Sequence, residues 1–129
     1  MRHDRTMFNP KGIAWVGLYA ADLARLSDFY ERQVGLRVVG RSDGACIFDA
    51  GAGSLFEIWG SGYASKTGKT PREQSMQVGF QVDRLEAAIA SLSARGVEPD
   101  TEIDSHRGTR WIPYTDPEGN RFELKDLHG

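Results

Sequence analysis

Two stretches of the chain, residues 13–20 and 75–82, alternate apolar and polar positions with the period of a β-strand. Val16 and Leu18 share one face of the first, and Val78, Phe80 and Val82 share one face of the second. Each stretch then runs into a 3.6-residue pattern. Leu23, Leu26, Phe29 and Tyr30 form an apolar stripe closed by Gly35, and Leu85, Ile89 and Leu92 form another closed by Gly96. A glycine just past the last periodic residue is the usual helix stop, because it takes the left-handed conformation without a Cβ clash. Asp83 and Glu86 stand at capping-box spacing before the second helix. Short strands are predicted over about 36–41, 44–49 and 54–59, and again over about 98–103, 109–115 and 120–125. Asp43-Gly44 and Asp116-Pro117-Glu118-Gly119 supply turns between them.

The order of elements is the same in both halves, and so is part of the sequence. Val16-Gly17-Leu18 returns as Val78-Gly79-Phe80, and Gly53-Ser54-Leu55-Phe56-Glu57-Ile58 is echoed by Gly119-Asn120-Arg121-Phe122-Glu123-Leu124. Two matches in the same order make an internal repeat. The chain reads as one domain over 11–127, built from module 1 (11–59), a linker (60–74) and module 2 (75–127). Each module is βαβββ, which makes the fold class α+β, with the two modules forming a curved, sheet-lined cleft.

With the apolar face of each first strand under the helices, the opposite face carries Trp15, Gly17 and Tyr19, then Gln77, Gly79 and Gln81. On the last strands Phe56, Ile58, Phe122 and Leu124 turn inward, so Glu57 and Trp59, and Glu123 and Lys125, face the other way. Glu57 interrupts a run otherwise suited to burial, and a carboxylate there must be exposed, paired or metal-bound. Alternation in 109–115 brings Trp111 to the same face. Arg110 would replace it, and favour an anionic ligand, if the register slipped by one. His3, His106 and His128 fall in terminal or polar loop segments. No histidine therefore stands on this face, and neither a Ser/His/Asp nor a Cys/His arrangement has a candidate.

Length and charge narrow the classes. A chain of 129 residues holds one domain, and its net charge of −2 without a basic tract argues against nucleic acid as a partner. The single cysteine, Cys46, excludes an internal disulfide or a Cys-based zinc site. No run approaches the ~18 apolar residues of a membrane span, and Met1-Arg2-His3-Asp4-Arg5-Thr6 has no apolar h-region, so a cytoplasmic protein without a membrane partner is expected. In the linker, Gly68-Lys69-Thr70 has the look of the end of a phosphate-binding loop. Gly62 lies one residue too far upstream and Pro71 follows at once, so that reading fails.

The strand followed by Asp22-Leu23-x-x-Leu26-x-x-Phe29-Tyr30 and Gly35-Leu36, with the later Asp116-Pro117-Glu118-Gly119-Asn120-x-Phe122-Glu123-Leu124, resembles the vicinal oxygen chelate superfamily. That group contains glyoxalase I, bleomycin-resistance proteins, extradiol dioxygenases and fosfomycin-resistance enzymes. The resemblance covers residues 12–126. It implies the glyoxalase/bleomycin-resistance fold, a homodimer, and a divalent ion held by one residue from the first and last strand of each module. Those positions are Trp15, Glu57, Gln77 and Glu123, the last being the one that in glyoxalases also handles the proton. Indole offers only an N–H donor, so Trp15 cannot ligate. The remaining oxygen donors, Glu57, Gln77 and Glu123, suit Mg²⁺, Mn²⁺ or Ca²⁺ better than Zn²⁺, Ni²⁺ or Fe²⁺.

Two functions stay open at this point. In one, the protein binds a small planar aromatic molecule for sequestration or resistance, with Trp15, Tyr19, Trp59, Gln77, Gln81 and Trp111 as ligand-binding residues and with no metal or only a weakly held one. In the other it is a divalent-metal-dependent enzyme, a glyoxalase-like lyase or an isomerase/epimerase, with Glu123 or Glu57 as general base. An extradiol-type dioxygenase fits less well, since its two histidines are missing.

Overall fold

A computed structural model describes residues 8–60, 73–74 and 76–127. Most of the linker, including Gly68-Lys69-Thr70, lies outside the described residues, as do His3 and His128. Module 1 supplies β1 (Trp15–Tyr19), α1 (Leu23–Asp28) continued by a π-helical turn (Phe29–Val34), β2 (Val38–Arg41), β3 (Ala45–Gly51) and β4 (Ser54–Trp59). Module 2 supplies β5 (Val78–Gln81), α2 (Leu85–Ala94), β6 (Asp104–His106), β7 (Thr109–Thr115) and β8 (Arg121–Asp126). The strands form two four-stranded mixed sheets, ordered β1-β4-β3-β2 and β5-β8-β7-β6. In each, the first strand runs parallel to the last and the remaining pairs are antiparallel. This is the α+β repeat that the alternation predicts. Among the described residues, no helix is long and apolar enough to cross a membrane.

Three local expectations need correction, and one alternative falls away. Residues 98–103 are not a strand. Pro99 has no N–H to give a ladder, and the second strand of module 2 is instead the short β6, paired with Thr109–Trp111 through a turn at Arg107-Gly108 with positive φ at both residues. His106 therefore ends a strand opposite Thr109, exposed on the same face as Trp111, so the expectation that no histidine stands on that face does not hold. The capping box does not form either. Arg84 is the N-cap residue of α2 and its side chain caps nothing; the Leu85 N–H donates to Asp126 Oδ2 at 2.8 Å. Finally, the β7 register does not slip. Arg110 points to the helix side, donating to Asp126 at 2.6 and 3.1 Å and to Glu86 at 2.7 and 2.9 Å. Those bonds hold the Glu86 carboxyl down, to about 2.

The helix of module 1 starts at Asp22, whose Oδ1 accepts from the Arg25 N–H. Its end is unusual. The segment 23–35 is one residue longer than its counterpart 85–96, and the extra residue is absorbed in the π turn, where the Gly35 N–H donates to the Tyr30 carbonyl. Gly35 closes it at φ +96°. Two carbonyls left by the turn, those of Gln33 and Val34, accept from Arg95 of module 2 at 2.8 and 3.0 Å.

Inward residues of both sheets share one core. Phe56 meets Phe80 with ring centroids 5.5 Å apart, and Tyr30 lies 4.9 Å from Phe56 and 5.5 Å from Phe122. Cys46 is buried there as a small apolar residue. The turn 116–120 of module 2 then ties itself to the helix of module 1. Glu118, 1% exposed, accepts the N–H groups of Ala21 and Asp22 at 2.8 Å each. Asp116 accepts the Tyr30 hydroxyl at 2.7 Å on Oδ2, and the N–H groups of Glu118 and Asn120 on Oδ1.

Glu118→Ala leaves two N–H groups unanswered beside a void. Bonds to a charged group contribute about 1.5–3 kcal/mol each, so chemical denaturation should register a loss of about 3 kcal/mol or more; a loss under about 1 kcal/mol would mean the contact does not join the modules. Burial, then the Asp116 charge, raises the Tyr30 phenol well above its ordinary value, and burial also raises Tyr114. A raised phenol stabilises the fold fully below the unfolded value of about 10, and that contribution is lost as pH rises from there through the higher folded-state value. The phenolate absorbance of these two tyrosines should therefore develop only as the chain unfolds. Full development of that absorbance while circular dichroism stays native would contradict this.

Candidate functional site

On the face away from the helices, the strand registers set the neighbours. Gly17 lies beside Glu57 and Tyr19 beside Trp59; Gly79 lies beside Glu123, and Lys125 stands between Gln81 and Trp111. Along the seam between β1 and β5 runs a cleft of about 630 Å³, whose lining includes Trp15, Tyr19, Trp59, Gln74, Met76 and Gln77. None of the described lining residues carries a charge. Trp15 and Tyr19 are 53% and 54% exposed, so the cleft presents open aromatic surface.

Glycine sets the shape of this surface. A Cβ on Gly17 would lie 2.6 Å from Cζ3 of Trp15, which shows that the indole folds flat across the strand. Behind it, the Trp59 Nε1–H donates to Glu57 Oε1 at 2.9 Å. Glu57 does not itself line the cleft; it holds one of the rings that do. Module 2 uses the same floor differently. A Cβ on Gly79 would meet Lys125 Cδ at 3.1 Å, so the lysine stem crosses the glycine where the indole crosses it in module 1. The ammonium ends 3.9 Å from Glu123 Oε1 and 5.6 Å from the centroid of the Trp111 ring.

The predicted residues thus fall into three groups. Trp15, Tyr19, Trp59 and Gln77 line one cleft, with Glu57 joined to it through Trp59. Gln81 lines a second hollow of about 560 Å³ against the Gly51-Ala52 turn, which Gln77 also reaches. Trp111 and Glu123 line neither and gather around Lys125. Sequence reasoning missed the parts played by Lys125, Gln74 and Met76. The alternation already placed Lys125 on this face. Gln74 carried no periodic signal, yet its side chain bonds both backbone groups of Arg121 at 2.8 Å and so fastens the start of module 2.

The four positions that the resemblance assigns to a divalent ion do not fit one. Trp15 has no lone pair to give. One Glu57 oxygen is engaged by an indole N–H, and Glu123 faces an ammonium that would repel a cation. Among the described residues, no three His, Cys, Asp or Glu side chains converge.

The sequence matches the Glyoxalase/Bleomycin resistance protein/Dioxygenase superfamily over residues 12–124. Among solved structures, the fold is similar to a glyoxalase/bleomycin resistance protein/dioxygenase from Nocardioides, at 20% identity over 95% of this chain and 89% of that one, with a TM-score of 0.71. It is also similar to lactoylglutathione lyase from Agrobacterium tumefaciens, at 18% identity over 91% of this chain and 94% of that one, TM-score 0.70. TioX from Micromonospora sp. ML1 matches at 20% identity over 90% of this chain and 98% of that one, TM-score 0.72. At such identities the likeness is one of fold. No curated protein matches the chain.

Gly17→Ala tests the flattened indole. Because the displaced ring is half exposed, thermal stability should hardly move, while the tryptophan emission shifts as Trp15 swings off the strand. An unchanged emission spectrum would mean that the ring does not rest on Gly17.

Proposed function

The chain belongs to the glyoxalase/bleomycin resistance protein/dioxygenase superfamily, and on that premise we propose that it binds a small, planar aromatic molecule in the seam cleft, as a sequestering or resistance-type protein. One observation carries the reading: an open cleft walled by Trp15, Tyr19, Trp59 and Met76, with no charged residue in its described lining. Flat rings stack on such walls, and each aromatic pair contributes about 0.5–1.5 kcal/mol beyond the apolar area it removes from water. Gln77 supplies an amide donor and acceptor that orient a heteroatom at the rim, while the Gln74 amide is held by the Arg121 backbone. The donor set described above supports binding without an ion.

The test is binding and turnover measured on the same variants. Trp15→Ala should weaken the binding of quinoline by about tenfold, since a stacking partner and its buried area are lost together and 1.4 kcal/mol is a factor of ten. Dialysis against a chelator should leave that affinity unchanged, and Glu123→Gln should hardly alter it. Equal binding by Trp15→Ala, or turnover that appears only with added divalent ion and vanishes in Glu57→Gln and Glu123→Gln, would overturn the proposal.

A further inference from the structure

We infer that the molecule held in the seam cleft is a cation, a planar aromatic cation or an aryl ammonium, and that Glu57 with Trp59 selects its charge. The inference rests on the aromatic-cleft reading and adds the ligand's charge to it. Its basis is a comparison of the two halves of the chain. Glu57 and Glu123 occupy the same place in the repeat, each beside the glycine of its module's first strand. In module 2 the group of three is complete: a carboxylate, an indole and an ammonium, with Lys125 Nζ between Glu123 Oε1 and the Trp111 ring. Module 1 has the carboxylate and the indoles, but among the described residues no ammonium is paired with Glu57. Trp59 stands where Lys125 stands in the repeat, because it follows Glu57 by two residues as Lys125 follows Glu123.

Among the described residues, the charge of Glu57 has no built-in counterpart. The salt bridges of the described residues engage Asp28, Glu31, Asp49, Glu86, Glu123 and Asp126, and none engages Glu57. Its recorded bond comes from a neutral donor, the Trp59 N–H. That bond draws electron density toward the ring whose face lines the cleft, and a richer ring face attracts a cation more strongly. Trp15, lying flat on Gly17 next to Glu57 in register, offers a second face of the same kind. With no cationic side chain in the described lining, a ligand cation would not be repelled, and the Glu57 charge held on Trp59 would disfavour an anion.

Equilibrium dialysis with three probes of similar shape separates the possibilities. At neutral pH, N-methylquinolinium carries a fixed positive charge, quinoline is neutral and 2-naphthoate is an anion. The parent protein should bind N-methylquinolinium about tenfold tighter than quinoline, with 2-naphthoate the weakest. Glu57→Gln keeps an oxygen for the Trp59 N–H and removes the charge. It should bring N-methylquinolinium and quinoline to within about twofold while quinoline itself binds as before. Glu123→Gln removes the same charge from the equivalent place in module 2 and should leave the preference intact. Equal binding of the cation and quinoline by the parent, or a preference that survives Glu57→Gln, overturns the inference and leaves the aromatic cleft standing. Failure of all three probes to bind overturns the cleft reading and this inference with it.

Discussion

The carboxylate of Glu118 is buried between modules with both oxygens on backbone N–H groups, and the geometry of the cleft depends on that contact. Ala21 and Asp22 form the corner where β1 turns into α1, so a clamp there fixes the direction of the strand that carries Trp15, Gly17 and Tyr19. The clamp belongs to the turn feeding β8, the neighbour of β5. Through it, the two strands that border the seam are held relative to each other, although no backbone ladder joins them. Removing a carboxylate from water costs several kcal/mol, and such a group persists only where bonds answer it. Here Asp116 supports the turn that presents Glu118, and Tyr30 anchors Asp116 to the helix.

The fastening is one-sided. The registers equate turn 116–120 with turn 50–54, which puts Ala50 in the place of Asp116 and Ala52 in the place of Glu118. Leu92 stands where Tyr30 stands, on the apolar stripe of its helix. The module 1 turn therefore has no acid to offer the start of α2, and that start is served from within its own module by Asp126, steadied by Arg110. Against the Gly51-Ala52 turn lies the second hollow. A duplicated framework has thus kept its strands and inward residues while its polar joints diverged.

Much of this was legible in the sequence, for a reason that also marks the limit. Which face Trp15, Glu57, Gln77 and Glu123 occupy follows from period-2 alternation, a property of a few consecutive residues, and the repeat supports it twice. The extent of the strand near 98–103 was not legible, because Pro99 and the hairpin at Arg107-Gly108 decide it together. Asp83 and Glu86 have the right spacing for a cap, yet long-range partners, Asp126 for the Leu85 N–H and Arg110 for Glu86, take over both roles. The clamp joins residues 97 positions apart and left no local trace. For the site, alternation named the residues, but only the three-dimensional arrangement shows that Trp15, Trp59 and Gln77 share a cleft while Trp111 and Glu123 gather around Lys125.

The outer strands bear on how this chain meets others of its kind. A sheet edge with unpaired N–H and C=O groups is a template for a foreign strand, and such edges in stable proteins are short, charged or irregular. Here β6 spans only Asp104–His106, all polar and exposed. At the other extreme, β2 shifts register between Val38 and Gly40 and ends at Arg41, whose guanidinium reaches back to Glu31. Neither offers a straight run for a seventh or eighth backbone bond to follow a sixth. Runaway strand-to-strand polymerisation is thereby discouraged at these two edges, while the other edge of each sheet, β1 or β5, borders the seam.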